Sequence, residues 1–154
     1  MLYQCKQQPE DFMVEELLPA LPSGKGEVLY VYFEKKNLTT MEVVEHLQRT
    51  LHLSREELGI AGLKDKVGTT RQWITVFRKV LTRVGGERAF LSVLGELVEI
   101  LQTSRGEKPL RVGANAGNTF ILRLRAVQPI EEEKKKLIKQ NIEKVKTKGF
   151  PNCF

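Results

Sequence analysis

This 154-residue chain is poor in the residues that build disulfide frameworks and metal centres, with two cysteines and two histidines. Cys5 and Cys153 stand near opposite ends and form no C-x-x-C pair, so both are read as reduced, structural or incidental thiols. His46 and His52 are six residues apart, which on a helix puts them on separate faces, and neither has a further ligand at metal spacing. No metal is expected. No apolar run approaches the length of a membrane span, and residues 1–11 lack the basic-then-apolar pattern of a secretory signal, so a cytoplasmic location is expected. A phosphate loop is excluded as well: Gly62 and Gly68 are one residue too far apart for G-x-x-x-x-G-K-[ST], and Thr69 stands where the lysine belongs. There is neither an internal repeat nor a low-complexity linker.

What remains has the make-up of an ordinary globular protein, 41% apolar and 29% charged, with a length that suits one domain. The net charge of +6 and a pI near 9.4 suit a polyanionic partner such as nucleic acid. Part of that charge is local: Glu131-Glu-Glu is followed by Lys134-Lys-Lys and then Lys139, Lys144, Lys146 and Lys148. An acidic first turn and basic later turns complement a helix dipole, so a solvated helix is the preferred account of the run, with RNA contact as the alternative.

Hydrophobic patterning predicts mixed elements. Asp11 to Leu17 alternates like a half-buried strand, and Pro19, Pro22, Ser23, Gly24 and Gly26 mark a loop. Glu27 to Lys36, dense in β-branched and aromatic residues, is the clearest strand. Thr39 with Glu42 has the signature of a capping box, and Met41, Val44, Leu47 and Leu51 then recur at helical spacing. Leu81 to Leu94 is ambiguous around Gly85-Gly86, whereas Leu97 to Gln102 reads as a strand ahead of a polar loop at 103–108. Thr119 to Val127 reads as one strand on whose exposed face Arg123 and Arg125 stand together. Leu137, Ile138, Ile142 and Val145 give the last helix one apolar side. Short loops and half-polar strands favour an α+β fold with a mixed, mainly antiparallel sheet and flanking helices.

The segment Ala61-Gly-Leu-Lys-Asp-Lys-Val-Gly-Thr-Thr-Arg-Gln72 places Asp65 between Lys64 and Lys66, at the break between an apolar approach and a strand at Gln72 to Phe77. Neighbouring lysines favour the ionised carboxylate, and partial burial opposes it. By residue type alone a solvated turn is the preferred account, since Asp and Lys are common there.

Four collinear pieces change that weighting. Lys6-x-x-Pro9-Glu10-Asp11-Phe12-x-Val14-x-Glu16, Lys36-Asn-Leu-Thr-Thr40, Ala61-Gly62-x-Lys64-Asp65-Lys66 with Thr70-x-Gln72-Trp73, and Leu110-Arg111-x-Gly113 leading to Gly117-Asn118-x-Phe120-x-Leu122-x-Leu124-Arg125 together resemble the TruD family of tRNA pseudouridine synthases. Gly149-Phe-Pro-Asn-Cys-Phe154 resembles the start of a further family motif, with Cys153 where the family commonly has tyrosine.

The resemblance implies isomerisation of a tRNA uridine, the family target being uridine 13, to pseudouridine without cofactor or metal. The family's essential aspartate maps onto Asp65. Breaking the C1′–N1 bond and joining C1′ to C5 needs a carboxylate beside the sugar, as nucleophile on sugar or base, or as a base at C2′. The resemblance sets Lys64 and Lys6 beside that carboxylate and the RNA backbone. Phe12 and Phe120 become walls or stacking partners for the flipped base, and Asn118 a hydrogen-bonding neighbour. Without the resemblance, Phe12 and Phe120 read as core aromatics, Asn118 as a strand-entry turn and Lys6 as a surface lysine. Lys66, Arg71, Arg111, Arg123 and Arg125 are the candidate RNA contacts. The family's chain continues into an inserted domain and the rest of the catalytic sheet, so residues 1–154 correspond to a partial catalytic domain lacking the inserted domain and C-terminal part. Two alternatives stand beside the enzyme: a non-catalytic RNA-binding module, and an inactive fragment whose unfinished sheet edges self-associate.

Overall fold

The computed structural model describes residues 3–149, which fall into two units. The larger comprises Cys5–Arg123, and the smaller joins residues 3–4 to residues 124–149. Of the Gly-Phe-Pro-Asn-Cys-Phe segment, everything after Gly149, including Cys153, lies outside the described residues.

The larger unit is built on β3 (Val28–Lys36) and β5 (Thr69–Phe77), which pair antiparallel along nine residues each. Outside this pair lie β6 (Glu99–Gly106), antiparallel to β3, and β2 (Phe12–Leu17), whose pairing with β5 is parallel. The edge strand β7 (Gly117–Leu122) runs antiparallel to β2, giving the order β6-β3-β5-β2-β7, and the short β4 (Leu58–Ile60) pairs with the far end of β5. The sheet is mixed and mainly antiparallel, as the sequence predicts.

One face carries the apolar core. Leu29, Val31 and Phe33 of β3 and Ile74 and Val76 of β5 share that face through the two-residue period of the strand. They pack against Val43, Val44 and Leu47 of α1 (Thr40–Leu51) and Phe90 and Leu94 of α3 (Glu87–Leu94), each fully buried large side chain contributing about 2 kcal/mol. The predicted capping box starts α1: the Glu42 N–H donates to Thr39 Oγ1 at 3.0 Å, and the Thr39 N–H donates to Glu42 Oε2 at 2.7 Å. The ambiguous stretch resolves into α2 (Arg78–Arg83) and α3, separated where Gly85 and Gly86 take φ of +92° and +95°. Glycine tolerates that left-handed pair, so one amphipathic pattern is cut in two.

Two sequence expectations need correction. The strand expected at 97–102 begins at Glu99 and runs on to Gly106, so the residues expected as a polar loop from Thr103 are largely strand. Nine-residue β3 offers them partners as far as Val28, and those backbone pairings outweigh their polar side chains. The single strand expected from Thr119 to Val127 is also broken. β7 ends at Leu122, and the Arg123 N–H donates to the Asp11 carbonyl at 2.8 Å just ahead of β2, so Arg123 and Arg125 do not share a strand face.

In the smaller unit β1 (Tyr3–Gln4) pairs antiparallel with β8 (Arg125–Ala126), and α4 (Glu132–Lys148) is the expected basic helix. Lys135–Glu132 and Lys146–Glu143 bridges run along its surface, and Leu137, Ile142 and Val145 of its apolar side are exposed. No described helix is long and apolar enough to cross a membrane.

The capping box makes a quantitative prediction. Thr39→Ala removes the acceptor for the Glu42 N–H and is expected to cost about 1 kcal/mol, read as a lower urea midpoint at unchanged slope. An unchanged midpoint would show that the cap does not hold α1.

Candidate active site

At the end of the sheet where β3 finishes and β2 and β5 begin, the core face changes from apolar to polar. The alternation that buries Val31 and Phe33 carries on to Lys35, which is 1% exposed. Its ammonium donates to the Leu38 carbonyl and, at 2.9 Å, to the Asp65 carbonyl. It thereby ties the β3–α1 connection to the loop between β4 and β5. Burial pushes the Lys35 ammonium down to about 8; the Asp65 and Glu42 carboxylates pull it back up, and Lys64 adds to the lowering.

That loop, residues 61–68, is held along its length by polar contacts. The Lys64 N–H donates to Thr40 Oγ1 at 2.9 Å, and the Thr40 hydroxyl donates to buried Gln72 Oε1 at the same distance. Asn37, at φ +52°, donates its N–H to the Gly68 carbonyl. Gly68 itself takes φ +124°, and a Cβ there would stand 2.5 Å from the Phe12 carbonyl, so only glycine lets the loop close against the start of β2. Asp65 is exposed between these anchors, open to a substrate.

The two lysines beside Asp65 go separate ways. Lys64 turns inward, its side chain 7% exposed, and pairs at 2.9 Å with Glu16, whose side chain is fully buried. The second oxygen of Glu16 accepts the Trp73 N–H at 3.1 Å, just past the last β2–β5 register pair at Glu15 and Arg71. Lys66 turns outward and pairs with Glu42 at 2.7 Å; that bond, with others from Thr39, holds the Glu42 carboxyl down to about 2.

β2 and β7 bring further candidates to the same face. Their register opposes Val14 to Phe120 and Glu16 to Asn118, so Phe12, Glu16, Asn118 and Phe120 lie on one side of the pair. The Phe12 and Phe120 rings stack with centroids 6.2 Å apart, and Lys6, at φ +56°, sets its ammonium 4.1 Å from the Phe12 ring centre. Phe120 is 61% exposed, which is not the environment of a core aromatic. Among the described residues, Asn118 Oδ1 is buried without a hydrogen-bond partner. Asp11, fully buried, accepts the N–H groups of Gln7 and Gln8 and so shapes the turn between Lys6 and Phe12.

The candidate RNA contacts divide. Arg123 is exposed and its backbone is fixed beside Phe12 through Asp11. Arg71 lies on the opposite sheet face, paired with Glu34 at 2.9 Å. Arg111 is exposed next to Leu110, which packs with Trp73, Tyr30 and Tyr32 on that opposite face. Arg125 belongs to the smaller unit. Lys35, Thr40 and Gln72 are absent from the sequence-derived site, although the period from Val31 through Phe33 to Lys35 is the signal that reveals the buried lysine. Among the described residues no group of three or more histidine, cysteine or acidic side chains is placed to hold a metal.

The Glu16–Lys64 pair is testable by a double-mutant cycle. Lys64→Met strands a buried carboxylate and is expected to cost about 3 kcal/mol; adding Glu16→Gln, which still accepts from Trp73, should regain more than half. Additive losses would mean the two side chains do not interact.

The family model for tRNA pseudouridine synthase D (TruD) matches residues 3–154. A tRNA pseudouridine synthase D of Shewanella oneidensis is 38% identical over 94% of this chain and 36% of its own length, and that of Geobacter sulfurreducens is 37% identical over 97% and 34%. A crystal structure of a Methanosarcina mazei protein assigned to TruD superposes with a TM-score of 0.77 at 26% identity, over 99% of this chain and 34% of that one. The chain thus spans about a third of the length of the curated relatives it matches. Over that third, the chain belongs to the tRNA pseudouridine synthase D family.

Proposed function

We propose that the chain forms the first part of the catalytic domain of a tRNA pseudouridine synthase, with Asp65 as the reacting carboxylate and uridine 13 of tRNA as the target. The observation that carries this reading is the exposure of Asp65 on a loop fixed at both flanks, on the sheet end that also holds the stacked Phe12 and Phe120 rings. The reaction is an isomerisation: the C1′–N1 bond breaks, C1′ joins C5, the C5 proton leaves and N1 gains one. A carboxylate beside the sugar serves it as nucleophile or as base. Phe120 and Phe12 offer ring faces to a base swung out of its stack, the unpartnered Asn118 oxygen accepts from an imide N–H, and Lys6 and Arg123 meet the phosphates. Lys64 serves from behind, through Glu16. Lys66, Arg71 and Arg111 then act on other parts of the tRNA, and Arg125 is a further candidate contact.

The relatives are about three times as long, and β7 is an open edge strand among the described residues, with Phe120, Ile121 and Leu122 more than half exposed. Both observations support further strands completing the sheet and the cleft in a longer protein.

The test is conversion of uridine 13 in unmodified tRNA by this chain alone and together with the remaining two thirds of a family member. Turnover is expected with both parts, and Asp65→Asn is expected to lower it by about a thousandfold or more with tRNA affinity within about twofold. Wild-type turnover by the Asn variant would sink the catalytic role. Salt-dependent tRNA binding without conversion in any combination would instead favour a binding module.

A further inference from the structure

Lys35 is the one fully buried ammonium of the larger unit, and the reaction outlined above gives it no task. Its stem continues the apolar row of β3, so a leucine or methionine would fit the core pattern equally well. A buried ammonium costs several kilocalories per mole unless its surroundings compensate it, so an apolar residue would be the more stable choice for packing alone. The compensation found here comes from two backbone carbonyls, and one belongs to Asp65 itself.

We propose that Lys35 is a positioning residue for Asp65: from beneath the loop its ammonium pins the Asp65 backbone to the β3–α1 connection and supplies the buried positive charge that the Asp65 carboxylate faces. The charged groups around it come from two elements: Asp65 and Lys64 from the loop, and Glu42 from α1. Lys64 is occupied by Glu16 and Lys66 by Glu42, so of the lysines around the loop Lys35 is the one whose field acts on Asp65 from the protein interior. A fixed charge of this kind acts before substrate arrives and needs no rearrangement during reaction. Depressed toward neutrality by burial, it also makes the field at Asp65 dependent on pH near 8.

The functional meaning of this inference rests on Asp65 being the reacting carboxylate, but the experiment reads the coupling by itself. The Lys35 side-chain nitrogen is titrated by NMR in the 154-residue chain and in its Asp65→Asn variant, which keeps the backbone carbonyl and removes only the charge. Lys35 is expected to titrate about one unit lower in the variant, and Lys64→Met is expected to move it upward. A lysine serving only as backbone clamp would titrate unchanged in Asp65→Asn, and that result would overturn the proposal. A failed turnover assay with an intact Lys35 shift would reject the catalytic reading while leaving the charge pairing in place. If Lys64→Met does not fold, Glu42→Gln replaces it, with a downward shift expected.

Discussion

Lys35 sets an ammonium group where almost no solvent reaches it, and removing such an ion from water costs several kilocalories per mole even after the surroundings relax. Carbonyl oxygens of Leu38 and Asp65 offset part of that cost, and they lie on the two connections that must meet at this end of the sheet. The constraint is therefore local in energy and long in sequence: residue 35 fixes the backbone of residue 65. Thr40 and Gln72 repeat the pattern, since one hydroxyl links the start of α1, the middle of β5 and the Lys64 N–H.

Around this polar end the apolar half of the sheet acts as a platform. Nine paired residues in β3 and β5, covered by α1 and α3, leave little freedom in where Lys35 and Thr69 emerge. The Glu16–Lys64 pair adds a buried ion pair, and Asp11 orders the turn that presents Lys6 and Phe12. The consequence is a division of labour among adjacent lysines. Lys64 and Lys35 work inside the fold, whereas Lys66 and Lys6 stand at its surface.

Much of this was legible in the sequence. β3, the capping box of α1 and the loop carrying Asp65 follow from β-branched density, from Thr39 with Glu42, and from a charged tripeptide between apolar runs. The pairing partners were not legible, because β2 meets β5 in parallel across more than fifty residues of chain and no local pattern encodes that. Two boundaries moved for related reasons: β6 lengthened because β3 offered partners, and the 119–127 segment broke because the Arg123 N–H found Asp11. In the site, the resemblance pointed to Asp65, Phe12 and Phe120, whereas Lys35 was not singled out, although the strand period through Val31 and Phe33 places it inward. Ion pairing also escaped the sequence, so Arg71, grouped with the other basic residues by charge, proved to be held by Glu34 on the opposite face.

The central claim is that a buried polar framework holds the Asp65 loop as firmly as the sheet beneath it. Amide hydrogen exchange at Lys64 tests it directly, since that N–H has Thr40 Oγ1 as its acceptor and no strand partner. The account predicts protection within about tenfold of that of Ile74 in β5. Exchange at the rate of an unprotected peptide, with the β3–β5 amides still protected, would contradict it.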